Sequence, residues 1–223
     1  MKKFFFAAAM TAMMFVSCTK DNNVVGGNNE NNNGSNVENN GGNADDNNGG
    51  NTEQTVLAVV FNELCGNKVV EYTDGKKYKF IELYNNSDAA VSLAGWTIRK
   101  YVPDAKDVEG VYDVCWTAPE GTQIAAGGYL VLISDQEDPT VGFNAGLSAS
   151  KELKFELVDA DNKSVDIFLR GKENAAGTVE ETELTKNEEA SFSRVPNGNG
   201  AWAYAVPTPG AANGEKTGDI EHE

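Results

Sequence analysis

The chain has 223 residues, with 18 Lys and Arg against 34 Asp and Glu, which gives a formal net charge of −16. Binding along a nucleic-acid backbone or on anionic lipid requires a basic surface, so this balance argues against both kinds of partner. The single histidine is His222, so no His-based catalytic triad and no His/Cys zinc site is expected within the folded part. The composition therefore favours a non-enzymatic protein.

Residues 1–17 have the pattern of a lipoprotein signal peptide. Two lysines precede an apolar run from Phe4 to Val16, which is too short to span a bilayer, and Ser17 precedes Cys18. A small residue followed by cysteine is typical of a leader that is cleaved and then lipidated on the cysteine. We predict that Cys18 carries a lipid anchor, and the alternative is an ordinary secretory leader.

The composition of residues 18–54, which begin with Cys18, predicts a disordered tether. They are rich in Asn and Gly, and their aliphatic residues larger than alanine are Val24, Val25 and Val37. Such a segment cannot bury enough apolar surface to offset the ordering of its backbone. Lys20 and Asp21 partly resemble the surface-export signal of some Gram-negative lipoproteins. We therefore expect an outer-membrane protein that faces outward, with a periplasmic orientation as the alternative.

Residues 55–213 predict one folded domain, and the polar residues 214–223 predict a disordered tail. Short segments rich in Val, Ile, Tyr and Phe alternate with turn-forming residues, and no segment shows a sustained helical period. This pattern predicts an all-β fold, an antiparallel sandwich of about eight to nine strands. The strands are expected at Val56–Glu63, Tyr78–Tyr84, Val91–Tyr101, Tyr112–Thr117, Tyr129–Ser134, Leu153–Val158, Ser164–Leu169, Ala190–Val195 and Trp202–Ala205.

The order of short motifs along this domain points to a known family. The motifs include Val60-Phe61-Asn62-Glu63-Leu64, Phe80-Ile81-Glu82-Leu83-Tyr84-Asn85, Leu93-Ala94-Gly95-Trp96, Gly127-Gly128-Tyr129-Leu130 and Thr208-Pro209-Gly210-Ala211-Ala212-Asn213. Their order resembles the lamin-tail domain family, which occurs in nuclear lamins and in many bacterial surface and secreted proteins. The resemblance extends from Val56 to Asn213 and implies an immunoglobulin-like sandwich.

Two cysteines remain in the domain, Cys65 and Cys115, an even number in an oxidising compartment. A disulfide between them would close a loop of about 50 residues and contribute up to about 4 kcal/mol. Two buried thiols that never meet are the equally open alternative, because the sequence does not show whether their Cα atoms lie close enough.

Carboxylates are the remaining candidates for chemistry. Glu63 and Glu82 lie in neighbouring predicted strands and could form a catalytic pair, but glutamates recur at these positions in the resembled family, which favours a structural role. Calcium is the one candidate cofactor, with weak oxygen ligands in Asp135, Asp138, Asp159 and Asp161. The calcium-binding helix-loop-helix pattern is absent, and hairpin turns are the simpler explanation of these aspartates.

The best indication of a binding surface is aromatic. Two stretches exceed a compact version of the family pattern, Arg99–Val111 and Gly171–Glu189, and loops on a rigid sandwich often carry binding. Tyr101, Tyr112 and Trp116 border the first stretch and could stack on sugars or anchor a protein. Ordinary packing at strand ends is the alternative.

Together these features predict a lipid-anchored module on the cell surface that binds an extracellular protein or glycan, as in adhesion. Members of the resembled family are often fused to hydrolases, which makes an accessory subunit of a separate nuclease or phosphatase the alternative. A structural role in the cell envelope is a further alternative. The sequence indicates neither the ligand nor the oligomeric state.

Overall fold

A computed structural model describes residues 57–102, 111–180, 184 and 189–220. The leader, the predicted lipidation site Cys18 and the tether lie outside these residues. The described part is all-β, with thirteen strands and no helix, which confirms the predicted fold class. It accordingly holds no helix with the length and apolar character that crossing a membrane requires.

The strands form two large sheets and one small ribbon. In chain order they are β1 Val59–Glu71, β2 Lys77–Asn85, β3 Val91–Ser92, β4 Thr97–Tyr101, β5 Tyr112–Thr117, β6 Gln123–Ile124, β7 Tyr129–Ser134, β8 Gly142–Phe143, β9 Leu153–Val158, β10 Ser164–Arg170, β11 Ser191–Val195, β12 Ala201–Ala205 and β13 Lys216–Asp219. The first sheet has the order β13-β12-β11-β1-β2-β7-β8, and the second has the order β10-β9-β4-β5. β3 and β6 form the ribbon, and only the β7–β8 pair is parallel among the paired strands described.

One hydrophobic core joins the two large sheets. Ile81 and Leu83 of the first sheet belong to the same buried cluster as Ile98, Phe155 and other residues of the second. Side chains alternate between the faces of a strand, so the intervening residues of β2 point away from this core. Phe80 accordingly belongs to a second, smaller cluster on the outer face of the first sheet.

The strand count exceeds the predicted eight to nine because several elements are very short. β3, β6 and β8 have two residues each, too few to produce a readable alternation. The predicted strand Val91–Tyr101 is divided into β3 and β4 by a turn at Gly95, which has a φ of 79°. That conformation suits glycine because it has no Cβ.

The prediction that residues 214–223 form a disordered tail is wrong for residues 216–220, which the structure describes. Lys216–Asp219 form β13, which pairs with β12, and Ile220 is buried in the main core. Residues 221–223 lie outside the described part. The polar sequence of β13 gave no strand signal because its pairing with β12 uses backbone groups.

Gly66 of β1 provides a test of this packing. A Cβ at this position would lie 2.6 Å from the carbonyl carbon of Ser148 and 2.8 Å from Cα of Ala149, both backbone atoms that cannot move aside cheaply. We expect Gly66→Ala to lower the free energy of unfolding by about 1–3 kcal/mol. Gly214→Ala is the control, because an added Cβ there meets nothing within 4 Å. Urea unfolding of both variants measures the difference, and equal stabilities would contradict the close approach.

Candidate binding surfaces

Two buried glutamates lie side by side on the outer face of the first sheet. Glu63 of β1 and Glu82 of β2 are direct cross-strand neighbours, and both are fully buried. Burial and, to a smaller extent, the charge of Glu63 raise the pKa of Glu82 to about 7, against opposing hydrogen bonds from Asn62 and Gly210. Burial also raises the pKa of Glu63, although hydrogen bonds from Ser191 and other donors oppose this shift.

The C-terminal strap, Thr208–Asn213, supplies much of the hydrogen bonding to this pair. The backbone N–H of Thr208 donates to both carboxylate oxygens of Glu63, at 3.1 and 3.2 Å, and that of Gly210 donates to Glu82 at 2.6 Å. The Nδ2 group of Asn213 donates to the backbone carbonyl of Asn62 at 3.0 Å. Both carboxylates therefore fasten the strap to the sheet, which is a structural role.

Asn62, Ser191, Ser193 and Asn213 complete the network around the pair, and sequence reasoning gave them no role. Asn62 Nδ2 donates to Glu82 at 2.8 Å, and the hydroxyl of Ser191 donates to Glu63. These residues come from segments more than 100 positions apart, so no local pattern links them.

A second polar contact joins the two large sheets. Arg194 of β11 donates to both carboxylate oxygens of Asp166 of β10, at 2.8 and 3.0 Å, and its Nε donates to the carbonyl of Phe61 at 2.8 Å. Asp166 in turn accepts from the N–H of Phe61 at 2.9 Å. Asp166 is buried and Arg194 is half-buried. Because each of the two charges has several hydrogen-bond partners, this ion pair joins the sheets without leaving a charge unsatisfied.

Aromatic residues do gather on the outward face of the second sheet, at the predicted insertion. We define the aromatic patch as Arg99, Tyr101, Tyr112, Val114 and Ile167. Ile167 of β10 lies in the same row across the sheet as Arg99 and Val114, with Glu156 of β9 between Ile167 and Arg99. Tyr101 lies opposite Tyr112, with ring centroids 5.8 Å apart, and Arg99 lies opposite Val114. The guanidinium carbon of Arg99 is 4.5 Å from the centroid of the Tyr112 ring.

The patch is supported from the neighbouring strand β9. Glu156 accepts a hydrogen bond from the hydroxyl of Tyr101 at 2.8 Å, and its Oε2 lies 3.7 Å from Nη1 of Arg99. Lys154 places its ammonium group 4.3 Å from the centroid of the Tyr101 ring. Burial and the hydrogen bond to Glu156 raise the pKa of Tyr101, which therefore stays a neutral donor at physiological pH.

Trp116 does not belong to this surface; at this position the structure shows packing, the alternative that the sequence left open. Its side chain is 3% exposed within the main core, and its ring nitrogen donates to the carbonyl of Pro139 at 2.9 Å. Of the three predicted aromatics, the structure brings together Tyr101 and Tyr112 only.

The two domain cysteines are free, buried thiols in separate surroundings. Cys65 belongs to the small cluster on the outer face of the first sheet, whereas Cys115 lies in the main core. Burial raises the pKa of each thiol to about 12, so neither is a thiolate nucleophile at neutral pH. The structure thus shows the second of the two alternatives that the sequence left open.

The weak calcium candidates lie in turns. Asp159 accepts from the N–H groups of Asp161 and Lys163, at 3.0 and 2.8 Å, between β9 and β10. Asp138 likewise caps a turn after β7, where Asp135 has a φ of 61°. No cluster of three or more acidic, His or Cys side chains suited to a metal occurs within the described ranges.

The two large sheets form an immunoglobulin-like β-sandwich that carries an exposed patch of aromatic and apolar side chains. The Lamin Tail Domain family model matches residues 52–182, and the chain belongs to this family. The family is immunoglobulin-like and non-catalytic in type, which suggests a protein-interaction module. No curated protein matches the chain. The match stops before β11, although β11 is a direct neighbour of β1 in the first sheet.

The pKa of Glu82 predicts a pH dependence of stability. Because its folded-state pKa of about 7 exceeds the ordinary value of 4.5, protonated Glu82 stabilises the fold fully below pH 4.5, and this contribution is lost as the pH rises to about 7. We expect it to amount to about 3–4 kcal/mol, since one pKa unit is worth about 1.4 kcal/mol. Glu82→Gln removes it, so urea unfolding across this range has a shallower pH slope in the variant. Parallel slopes would show that Glu82 does not titrate there.

Proposed function

We propose that this protein is a lipid-anchored module, displayed outward from the outer membrane, that binds an extracellular protein or glycan. Cys18 carries the anchor in this proposal, and residues 18–54 separate the domain from the membrane. The pattern of leader, cysteine and Asn/Gly-rich tether supports the location. The aromatic patch provides the contact surface.

The concentration of exposed apolar side chains in the patch carries this proposal. Five large hydrophobic residues are exposed in the described part of the chain, and three of them, Tyr112, Val114 and Ile167, belong to the patch. Their exposures are 39%, 54% and 44%. Clustered apolar area beside Tyr and Arg is typical of a binding surface, whereas scattered apolar residues are ordinary.

The patch is also held ready for contact. The pairing of β4 with β5 and β9 fixes the backbone. Glu156 and Lys154 both contact Tyr101, and Tyr112 packs against Tyr101 and Arg99. A partner therefore meets side chains that lose little conformational freedom on binding.

Substitution of the patch tests its role. We expect Tyr112→Ala with Val114→Ser to weaken capture of the ligand by about tenfold or more, as loss of an anchor residue does. Stability should change little because both side chains are exposed. Leu57→Ser with Val206→Ser is the matched control, since these are the other two exposed apolar residues. Arrays of extracellular proteins and glycans provide the measurement, and equal losses in both variants would contradict the assignment.

Protease shaving of intact cells tests the location. We expect protease to remove the domain while the membrane remains sealed, and Cys18→Ala to release the protein from the membrane fraction. A domain that is fully protected until the cells are lysed would place it in the periplasm and contradict outward display.

A further inference from the structure

Two lysines occupy positions at which the strand alternation calls for apolar side chains. Lys79 shares the inward face of β2 with Ile81 and Leu83, and Lys100 shares the inward face of β4 with Ile98. Lys100 also lies opposite the fully buried Phe155 of β9. Both lysines thus point into the space between the two large sheets. A local departure from the apolar pattern is a common sign of a functional site.

The two side chains converge on one loop. The ammonium group of Lys79 donates to the carbonyl of Leu147 at 2.6 Å. A Cβ placed on Gly146 would lie 3.5 Å from the ammonium nitrogen of Lys100. The two charges therefore approach the same short segment, one from each sheet, although like charges in close proximity repel one another.

An open cleft of about 590 Å³ lies beside these two ammonium groups. Lys68 and Lys151, both exposed, also line it, so it holds four of the 14 Lys and Arg between residues 55 and 213. No described carboxylate lies within 4 Å of any of the four ammonium groups. Over the same range the chain carries 24 Asp and Glu, so this basic cleft stands out in an acidic domain.

The backbone is shaped around the cleft as well. The β1–β2 ladder is interrupted between Cys65 and Val70, and residues 66–68 of this interruption form part of the lining. Irregularities of this kind commonly occur beside binding sites. Among the described residues that line the cleft, Glu152 is the one acidic side chain; it is 4% exposed, and its Cβ lies against Gly171.

We propose that this lysine cleft binds an acidic sugar, a saccharide unit that carries a carboxylate or sulfate group. Lys79 and Lys100 hold the anionic group, and Lys68 and Lys151 contact it or a neighbouring unit at the rim. Ser148 and Ser150 line the same cleft and offer hydroxyls to sugar hydroxyl groups. The volume lies within the range of about 300–1,000 Å³ that is usual for small-molecule sites.

The surroundings favour a sugar over the other anionic ligands. A nucleic acid places a phosphate on every nucleotide along an extended track, and the remaining acidic surface of this domain opposes such a track. An acidic peptide normally also uses an apolar anchor pocket or a free strand edge. The described residues of the lining are mostly polar, and none of them is aromatic. A short acidic saccharide needs only the local concentration of positive charge that the cleft provides.

Titration of full-length protein in detergent with defined sugars tests the proposal. The probes are sialyl-lactose for the carboxylate, a sulfated lactose for the sulfate, lactose as the neutral sugar and a hexaglutamate peptide. We expect calorimetry to detect binding of at least one acidic sugar, binding that weakens as NaCl rises from about 50 to about 300 mM. Lactose should not bind measurably.

Variants locate the site. Lys68→Gln with Lys151→Gln alters only exposed rim side chains, and Lys100→Gln alters the inner face. Each should weaken acidic-sugar binding by about tenfold, the expected effect of losing charge-assisted hydrogen bonds. Lys77→Gln with Lys163→Gln, a pair of exposed lysines outside the lining, removes the same charge as the rim variant and should leave the affinity unchanged.

Three results would overturn the proposal. They are equal loss of affinity in the rim and control variants, tighter binding of hexaglutamate than of either acidic sugar, and absence of binding by both acidic sugars. The site goes beyond the proposed function, because Lys100 lies on the inward face of β4 and the aromatic patch lies on its outward face. If the lysine cleft fails to bind acidic sugars, the test of the aromatic patch is therefore unaffected. If the patch variants bind normally, the test of the cleft is likewise unaffected.

Discussion

The buried pair Glu63 and Glu82 is the constraint on which the first sheet depends. Adjacent carboxylates away from water are costly unless hydrogen-bond donors surround them. Here the donors come from β1, β11 and the C-terminal strap, whose Thr208 lies 145 positions beyond Glu63. The pair therefore connects the beginning of the domain to its end, and its polar requirements specify where the strap must lie in a way that apolar contacts alone would not.

Strand alternation was sufficient to predict the fold class, because the long strands repeat their inward positions every two residues. It failed where that period is interrupted. Trp116 pairs with Ile98 and Val114 pairs with Arg99, so Cys115 is an extra residue in β5, and Cys115 and Trp116 are both buried. An aromatic that was a candidate for the surface consequently lies in the core. β13 was missed for a different reason. Its own residues are mostly polar, and its pairing with β12 uses backbone groups.

The candidate surfaces were predictable only in part, and β4 shows why. Tyr101 and Tyr112 flank an insertion, so their neighbourhood was visible along the chain. Lys79 and Lys100 are 21 positions apart, and only the packing of two different sheets brings them to one loop. The local signal that existed was a lysine two positions from an inward Ile, in each of β2 and β4. Without the register of both strands, such a lysine cannot be distinguished from a solvated one.

The position of β1 has a consequence for how the protein is made. β1 lies in the interior of the first sheet, yet the strand that covers one of its edges, β11, arrives 130 residues later, as the distance from Glu63 to Ser193 shows. A chain that emerges N-terminus first, from a ribosome or through a translocation pore, has no partner for that edge until nearly all of it has emerged. Such late, non-local pairing slows folding. The topology thus delays completion of the first sheet until the last strands of the domain have emerged.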